Sequence, residues 1–157
     1  MKEALLILFG FALAQLPEWV KRRRRLRTHW SAVRAELQLC CEKAGTFLQD
    51  AVQSPLYRLP LLAYKTPFPV LLAEGALSET DALTIGRFFS RVQDINRGLD
   101  NAAALLNVDD ESGQKREYVR NCIKAKELVE SSEGNPSLYS VARNIVDAKI
   151  TQPWWKY

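Results

Sequence analysis

Residues 26–51 read LRTHWSAVRAELQLCCEKAGTFLQDA, and the spacing within them decides the fold class. Leu26, Trp30, Val33, Leu37, Cys40, Ala44, Phe47 and Ala51 recur at alternating steps of four and three. That pattern collects the apolar side chains on one seam of an α-helix, as in a coiled coil, where helices pack side by side at shallow angles. The seam predicts a helix over about residues 19–52. It stops at Ser54-Pro55, because proline disfavours the helical conformation in the residue before it.

A second seam runs through Ile85, Phe88, Val92, Ile95, Leu99, Ala102 and Leu106. Its helix is expected to begin near Ser78, which forms a capping-box pattern with Asp81, while Glu79 suits the positive end of the helix dipole. Two seams of matching period predict that these helices pair as a long antiparallel hairpin. Gly98 sits mid-helix in the polar stretch 94–101, where glycine costs about 1 kcal/mol relative to alanine. A close helix approach or a kink is expected there, with a polar network of Asn96, Asp100 and Arg34 or, alternatively, a binding groove.

Between the seams, residues 54–77 hold Pro55, Pro60, Pro67 and Pro69 amid Leu, Tyr and Phe. The segment is too apolar for a solvated linker. Short helical turns are expected at 60–65 and 69–74, closed by Gly75, forming a cap over the far end of the hairpin. Past the acidic turn at 109–113, a third helix over 114–131 places Tyr118, Cys122, Ala125 and Val129 on one face. A fourth runs from Asn135-Pro136, with Asn as cap and Pro in the first turn, to about Lys149. The fold class is therefore all-α, a helical bundle. Four passes, out and back twice, return the C-terminus to the end from which the first helix departs.

Working toward the N-terminus, residues 21–27 read KRRRRLR. The chain carries 22 Lys and Arg against 18 Asp and Glu, and taking away this collar's six cations leaves 16. A mildly acidic body with one basic collar fits a single anionic surface better than general polyanion affinity. Directly before the collar, residues 4–16 (ALLILFGFALAQL) hold eight Leu, Ile or Phe in thirteen positions and no polar face. Those side chains favour a bilayer by roughly 3–4 kcal/mol in total. Residues 4–20 make about 25 Å of helix against a hydrocarbon core of about 30 Å, the short limit for a span. A start upstream of Met1 would lengthen it. Trp19 stands where an interfacial aromatic belongs, and flanking cations stay on the cytoplasmic side. The expected organisation is a membrane anchor over residues 1–20 with its N-terminus outside, a cytoplasmic body over 21–150 and an aromatic tail over 151–157.

The surface expected to meet the bilayer and its anionic headgroups is Trp19, Lys21, Arg22, Arg23, Arg24, Arg25 and Arg27. In the tail, Trp154, Trp155 and Tyr157 pack on the bundle, reach the membrane interface or meet a protein partner. The open face of the hairpin also offers a route to a homo-oligomer. Three other readings compete. Residues 4–16 could be a buried core helix or a partner-bound helix. The collar could grip nucleic acid, though five consecutive basic residues wrap the helix and no aromatic is interleaved for base stacking. Ala12-Leu13-Ala14 also resembles a signal-peptide cleavage site, which would make the chain an exported protein lacking residues 1–14.

Catalytic patterns are missing from the sequence. It has no glycine-rich phosphate loop, no G-x-S-x-G, no H-E-x-x-H and no paired-cysteine metal motif. Its one histidine, His29, lies beside fixed positive charge with no neighbouring carboxylate to orient it. Cys40, Cys41 and Cys122 are an odd set, best read as reduced thiols packed as small apolar groups. The cluster Asp109-Asp110-Glu111 lacks the spacing of a calcium loop and reads as a solvated turn. No catalytic residue, metal ligand or cofactor is assigned. The expectation is a non-enzymatic adaptor or assembly element.

Overall fold

The computed structural model describes residues 2–50, 57–106, 110–132 and 134–152. Within them the elements are helical: α1 Lys2–Asp50, α2 Leu62–Lys65, α3 Pro67–Ala73, α4 Glu79–Leu106, α5 Glu111–Val129 and α6 Leu138–Thr151. A lone bridge between Ser132 and Asn135 accompanies the turn before α6. The expected stop at Ser54-Pro55, the seam position Ala51, the acidic residue Asp109 and residues 153–157 of the aromatic tail lie outside the described residues.

The two seams form the core. Trp30, Val33, Leu37, Cys40, Ala44 and Phe47 of α1 are fully buried, as are Ile85, Phe88, Val92 and Ile95 of α4. Phe89 joins them, and α5 and α6 add Ala125, Leu128, Ala142 and Val146. Fully burying one such side chain is worth about 1.5–3 kcal/mol, so this heptad-spaced interior is the main source of stability.

The direction of α4 differs from the expected antiparallel hairpin. Residues 57–77 do not cap the far end; they form a strap that runs back along α1. At its start, the Tyr57 hydroxyl donates to the Lys43 carbonyl at 2.6 Å and the Cys40 thiol to the Pro60 carbonyl at 3.3 Å. Further along, the backbone N–H of Ala63 donates to the buried Glu36 carboxylate at 2.5 Å. At its end, Glu74 meets Arg22 and Arg25. The strap thus descends from residue 43 of α1 to residue 22, about 32 Å of helix rise. On α4 the same strap meets Asn96 through both backbone groups of Leu59, then Phe89 through Tyr64 and Phe68. Both helices are therefore read in the same direction, and α1 and α4 run parallel.

The antiparallel partner of α4 is α5. Arg91 pairs with Glu127, Lys124 donates to the Asp94 carbonyl, and Gly98 lies against Asn121. A Cβ at Gly98 would overlap the Asn121 amide, so the expected close approach is present. The expected polar network is not formed. Asn96 is bound to the strap, Asp100 pairs with Arg58, and Arg34 pairs with Asp147 of α6.

Helix starts also shift. Asp110 caps α5 by accepting from Gly113 N–H at 2.9 Å, so the second half of the acidic turn is its first helical turn. Ser137, not Asn135, caps α6, accepting from Ser140 N–H at 3.2 Å. Ser78 does accept from Asp81 N–H at 3.2 Å, as its spacing predicts. Both α5 and α6 run toward the collar, with α6 nearer to it. The C-terminal end of the described chain reaches the collar end as expected, by another route: α1 out, strap back, α4 out, α5 and α6 back.

Helix α1 passes through Pro17 without ending, although that residue supplies no N–H to the ladder. Among the described residues no helix is long and apolar enough to cross a membrane. The span expected over residues 1–20 therefore finds no support in the fold. Residues 4–16 make only about 20 Å of helix.

Candidate anion-facing site at the collar

The collar occupies about two turns of α1, and the helical period sorts its residues. Leu26 points inward and is 5% exposed, the first buried position of the seam. Arg22 and Arg25 lie one turn apart on a flank and converge on one carboxylate. Arg22 Nε is 2.9 Å from Glu74 Oε2 and Arg25 donates to Glu74 Oε1 at 2.6 Å. A second Arg22 nitrogen donates to the Glu74 carbonyl at 3.0 Å.

The sequence places Glu74 there through the end of α3. Pro67 opens that helix, and Gly75, with φ of 65°, closes it. Ala76 N–H donates to the Leu71 carbonyl and Gly75 N–H to Leu72, the two bonds of a Schellman motif. A left-handed residue is required at that position, which glycine adopts without a steric penalty. The turn delivers Glu74 onto the collar at the point where the chain changes direction into α4.

The remaining collar residues divide. Arg23 lies over the Trp19 ring, 5.8 Å from its centroid, a cation–π contact. Lys21 pairs with Glu18 at 3.2 Å, with both side chains 74% exposed. Arg24 and Arg27 are exposed, on the same face as Thr28 and Ser31, and make no ion pair among the described residues. The collar is therefore not a uniform ring. One side is partly neutralised by Glu74, and the opposite side presents unpaired cations to solvent among the described residues.

At this end of the bundle a cleft of about 240 Å³ opens between three elements. Trp19, Arg22, Arg23 and Leu26 supply one wall, Glu74, Gly75 and Ala76 the second, and Lys149 and Gln152 the third. Lys149 is steadied by Asp81 at 3.1 Å. Burial pushes the Asp81 carboxyl up, but Ser78 and Lys149 outweigh it and hold it below its ordinary range.

Of the residues expected to face the membrane, Trp19, Lys21, Arg22, Arg23, Arg24, Arg25 and Arg27 thus share one end of the molecule. The tail residues Trp154, Trp155 and Tyr157 lie outside the described residues. Sequence reasoning missed Glu74, Lys149 and Gln152, which enter the site from elements far away in the chain. The Pro67 to Gly75 spacing was the available signal for Glu74.

Other candidates resolve into structural roles. Cys40 and Cys41 are free, and burial, the leading cause for both, pushes their thiols up, which favours the protonated form over the nucleophilic thiolate. The Asp110 carboxyl is held below its ordinary range first by the Gly113 N–H and next by the Ser112 hydroxyl, the work of a helix cap. Among the described residues no three His, Cys, Asp or Glu side chains gather into a metal-ligating group. Comparison with known proteins returns no match, whether to family models, to curated proteins or to solved structures.

Proposed function

We propose that this chain is a membrane-tethered helical bundle that serves as an adaptor or assembly element, not as an enzyme. The observation that carries the reading is the junction on α1. An apolar run over residues 4–16 continues as one helix into a collar whose Lys21, Arg24 and Arg27 are exposed. Apolar segment, interfacial Trp19 and cations follow one another in the order of bilayer core, interface and charged leaflet surface. Anionic headgroups attract each such cation by about 1 kcal/mol.

The segment is shorter than the hydrocarbon thickness. Local thinning of the bilayer and snorkelling of flanking cations accommodate a short insertion at modest cost. The collar keeps the bundle on the cytoplasmic side and the first residues on the other. The same collar is a poorer nucleic-acid surface, because Glu74 and Glu18 neutralise part of it.

Fractionation tests the reading. Full-length protein is expected to resist high-salt and alkaline washes and to need detergent, while a variant lacking residues 1–20 is soluble and still helical. That truncation leaves the core from Leu26 onward intact. Release of the full-length protein by high salt alone would sink the tether. Salt-sensitive retention on RNA or DNA would then favour the nucleic-acid reading, and a mature form lacking fourteen residues would favour export.

A further inference from the structure

The collar-end cleft goes beyond a diffuse basic surface. We propose that it is a discrete binding site for a phosphate monoester group, gripped by Arg22, Arg23 and Lys149 and regulated by Glu74. The phosphate's source as a lipid headgroup rests on the membrane reading above; the site itself does not.

Its walls carry Arg22, Arg23 and Lys149 against Glu74, with the Asp81 carboxylate paired to Lys149 beside the cleft. Two of the cations are guanidinium groups, whose planar donor fork suits phosphate oxygens. The cleft volume of about 240 Å³ corresponds to roughly eight waters, enough for a phosphate with its ester link and part of its hydration. Glu74 already demonstrates the recognition chemistry. Its two carboxylate oxygens sit in the grip of Arg22 and Arg25 at 2.9 and 2.6 Å. A phosphate offers the same oxygen acceptors with up to twice the charge. It therefore competes with Glu74 for Arg22 while Arg23 and Lys149 hold its other side.

Arg23 is pre-positioned by its stacking on Trp19, and Lys149 by Asp81. Ordering these long side chains before a ligand arrives lowers the cost of binding it. Depth agrees with a headgroup. Arg22 and Arg23 follow Leu16 by six and seven residues on the same helix, about 9–11 Å of rise. The headgroup zone extends about 5–8 Å beyond the hydrocarbon edge, within reach of an arginine side chain.

The test is calorimetric titration of full-length protein in micelles of a neutral detergent, with inorganic phosphate and with glycerol 3-phosphate. The expected result is saturable one-to-one binding. Arg23→Gln and Lys149→Gln each weaken it about tenfold, the size of one charge-assisted hydrogen bond. Arg24→Gln and Arg27→Gln leave it unchanged. Glu74→Gln tightens it several-fold, a gain that misfolding does not produce. In a second arm, retention on phosphatidylcholine vesicles containing phosphatidate falls with Lys149→Gln, while retention on pure phosphatidylcholine does not. That result assigns the phosphate to lipid; loss in the first arm alone assigns it to a soluble phosphate.

Absence of saturable binding by the unmodified protein overturns the site and leaves the tether standing. Equal weakening by Arg24→Gln and Arg23→Gln also overturns it, in favour of diffuse charge. Retained phosphate binding by a protein that high salt strips from membranes would refute the tether and keep the site.

Discussion

At the far end of α1, Phe47 is fully buried against the rings of Tyr57 and Tyr118, with centroids 6.2 and 5.5 Å away. At the collar end of the same helix, Arg22 and Arg25 stay more than half exposed and reach the strap only through Glu74. The strap is therefore held to one helix by ring packing at its start, by the buried Glu36 carboxylate midway and by exposed charge at its finish. The difference teaches which end can change. Aromatic burial is insensitive to salt and expensive to undo. An exposed ion pair is worth about 0–1 kcal/mol and yields to salt or to a competing anion.

The contrast is broken most directly at Phe47. Phe47→Ala is expected to cost about 3–5 kcal/mol of unfolding free energy. Urea denaturation measures it, and a loss below about 1 kcal/mol would mean the far end is not clamped as described. Next comes the α4–α5 contact that orders the hairpin beside that end. Gly98→Ala forces a methyl into the Asn121 amide and should cost about 1–3 kcal/mol. Pairing it with Asn121→Ala should recover part of that loss, and strict additivity of the two would refute the contact.

Weaker effects belong to the collar. Glu74→Gln should change stability by about 1 kcal/mol or less, with the difference from the unmodified protein shrinking as salt rises. A difference that persists at 1 M salt would show that Glu74 acts through packing. The smallest effect is in pH. Folding lowers the carboxyl pKa of Asp81 and Asp110, so the folded state favours their charged forms. Their stabilisation is present above the ordinary carboxylate range near about 4 and is lost as pH falls below it, through the lowered values of the folded state. Thermal melts from pH 6 to pH 3 should show an acid limb that flattens in Asp81→Asn and Asp110→Asn. An unaltered limb in both would remove these carboxylates from the acid response.

The seams were legible because burial along a helix repeats every few residues and leaves its mark locally. Leu26 to Phe47 and Ile85 to Leu99 are core as their spacing predicts. Gly75 and Ser78 were legible for the same reason, since a helix end is settled within a handful of residues. The direction of α4 was not. A heptad seam says that two helices share a core and is silent on which ends meet. That depended on the strap, which covers about 32 Å in the residues from Arg58 to Glu74, near 2 Å per residue. Such a rise lies between helix and extended chain, and short helices broken by prolines produce it. Glu74, Lys149 and Gln152 were hidden for the same cause: their convergence on Trp19 follows from topology, not from any local pattern.

One property of α1 sets a length scale for whatever the bundle meets. The helix is continuous from the collar to Asp50. From Glu18 to Phe47 its rise is about 44 Å. Any surface that holds the apolar first turns therefore stands at a fixed stand-off from the aromatic clamp at the opposite pole. The rod acts as a spacer, and a partner docked at that pole is held at one height instead of being sampled by a flexible stalk.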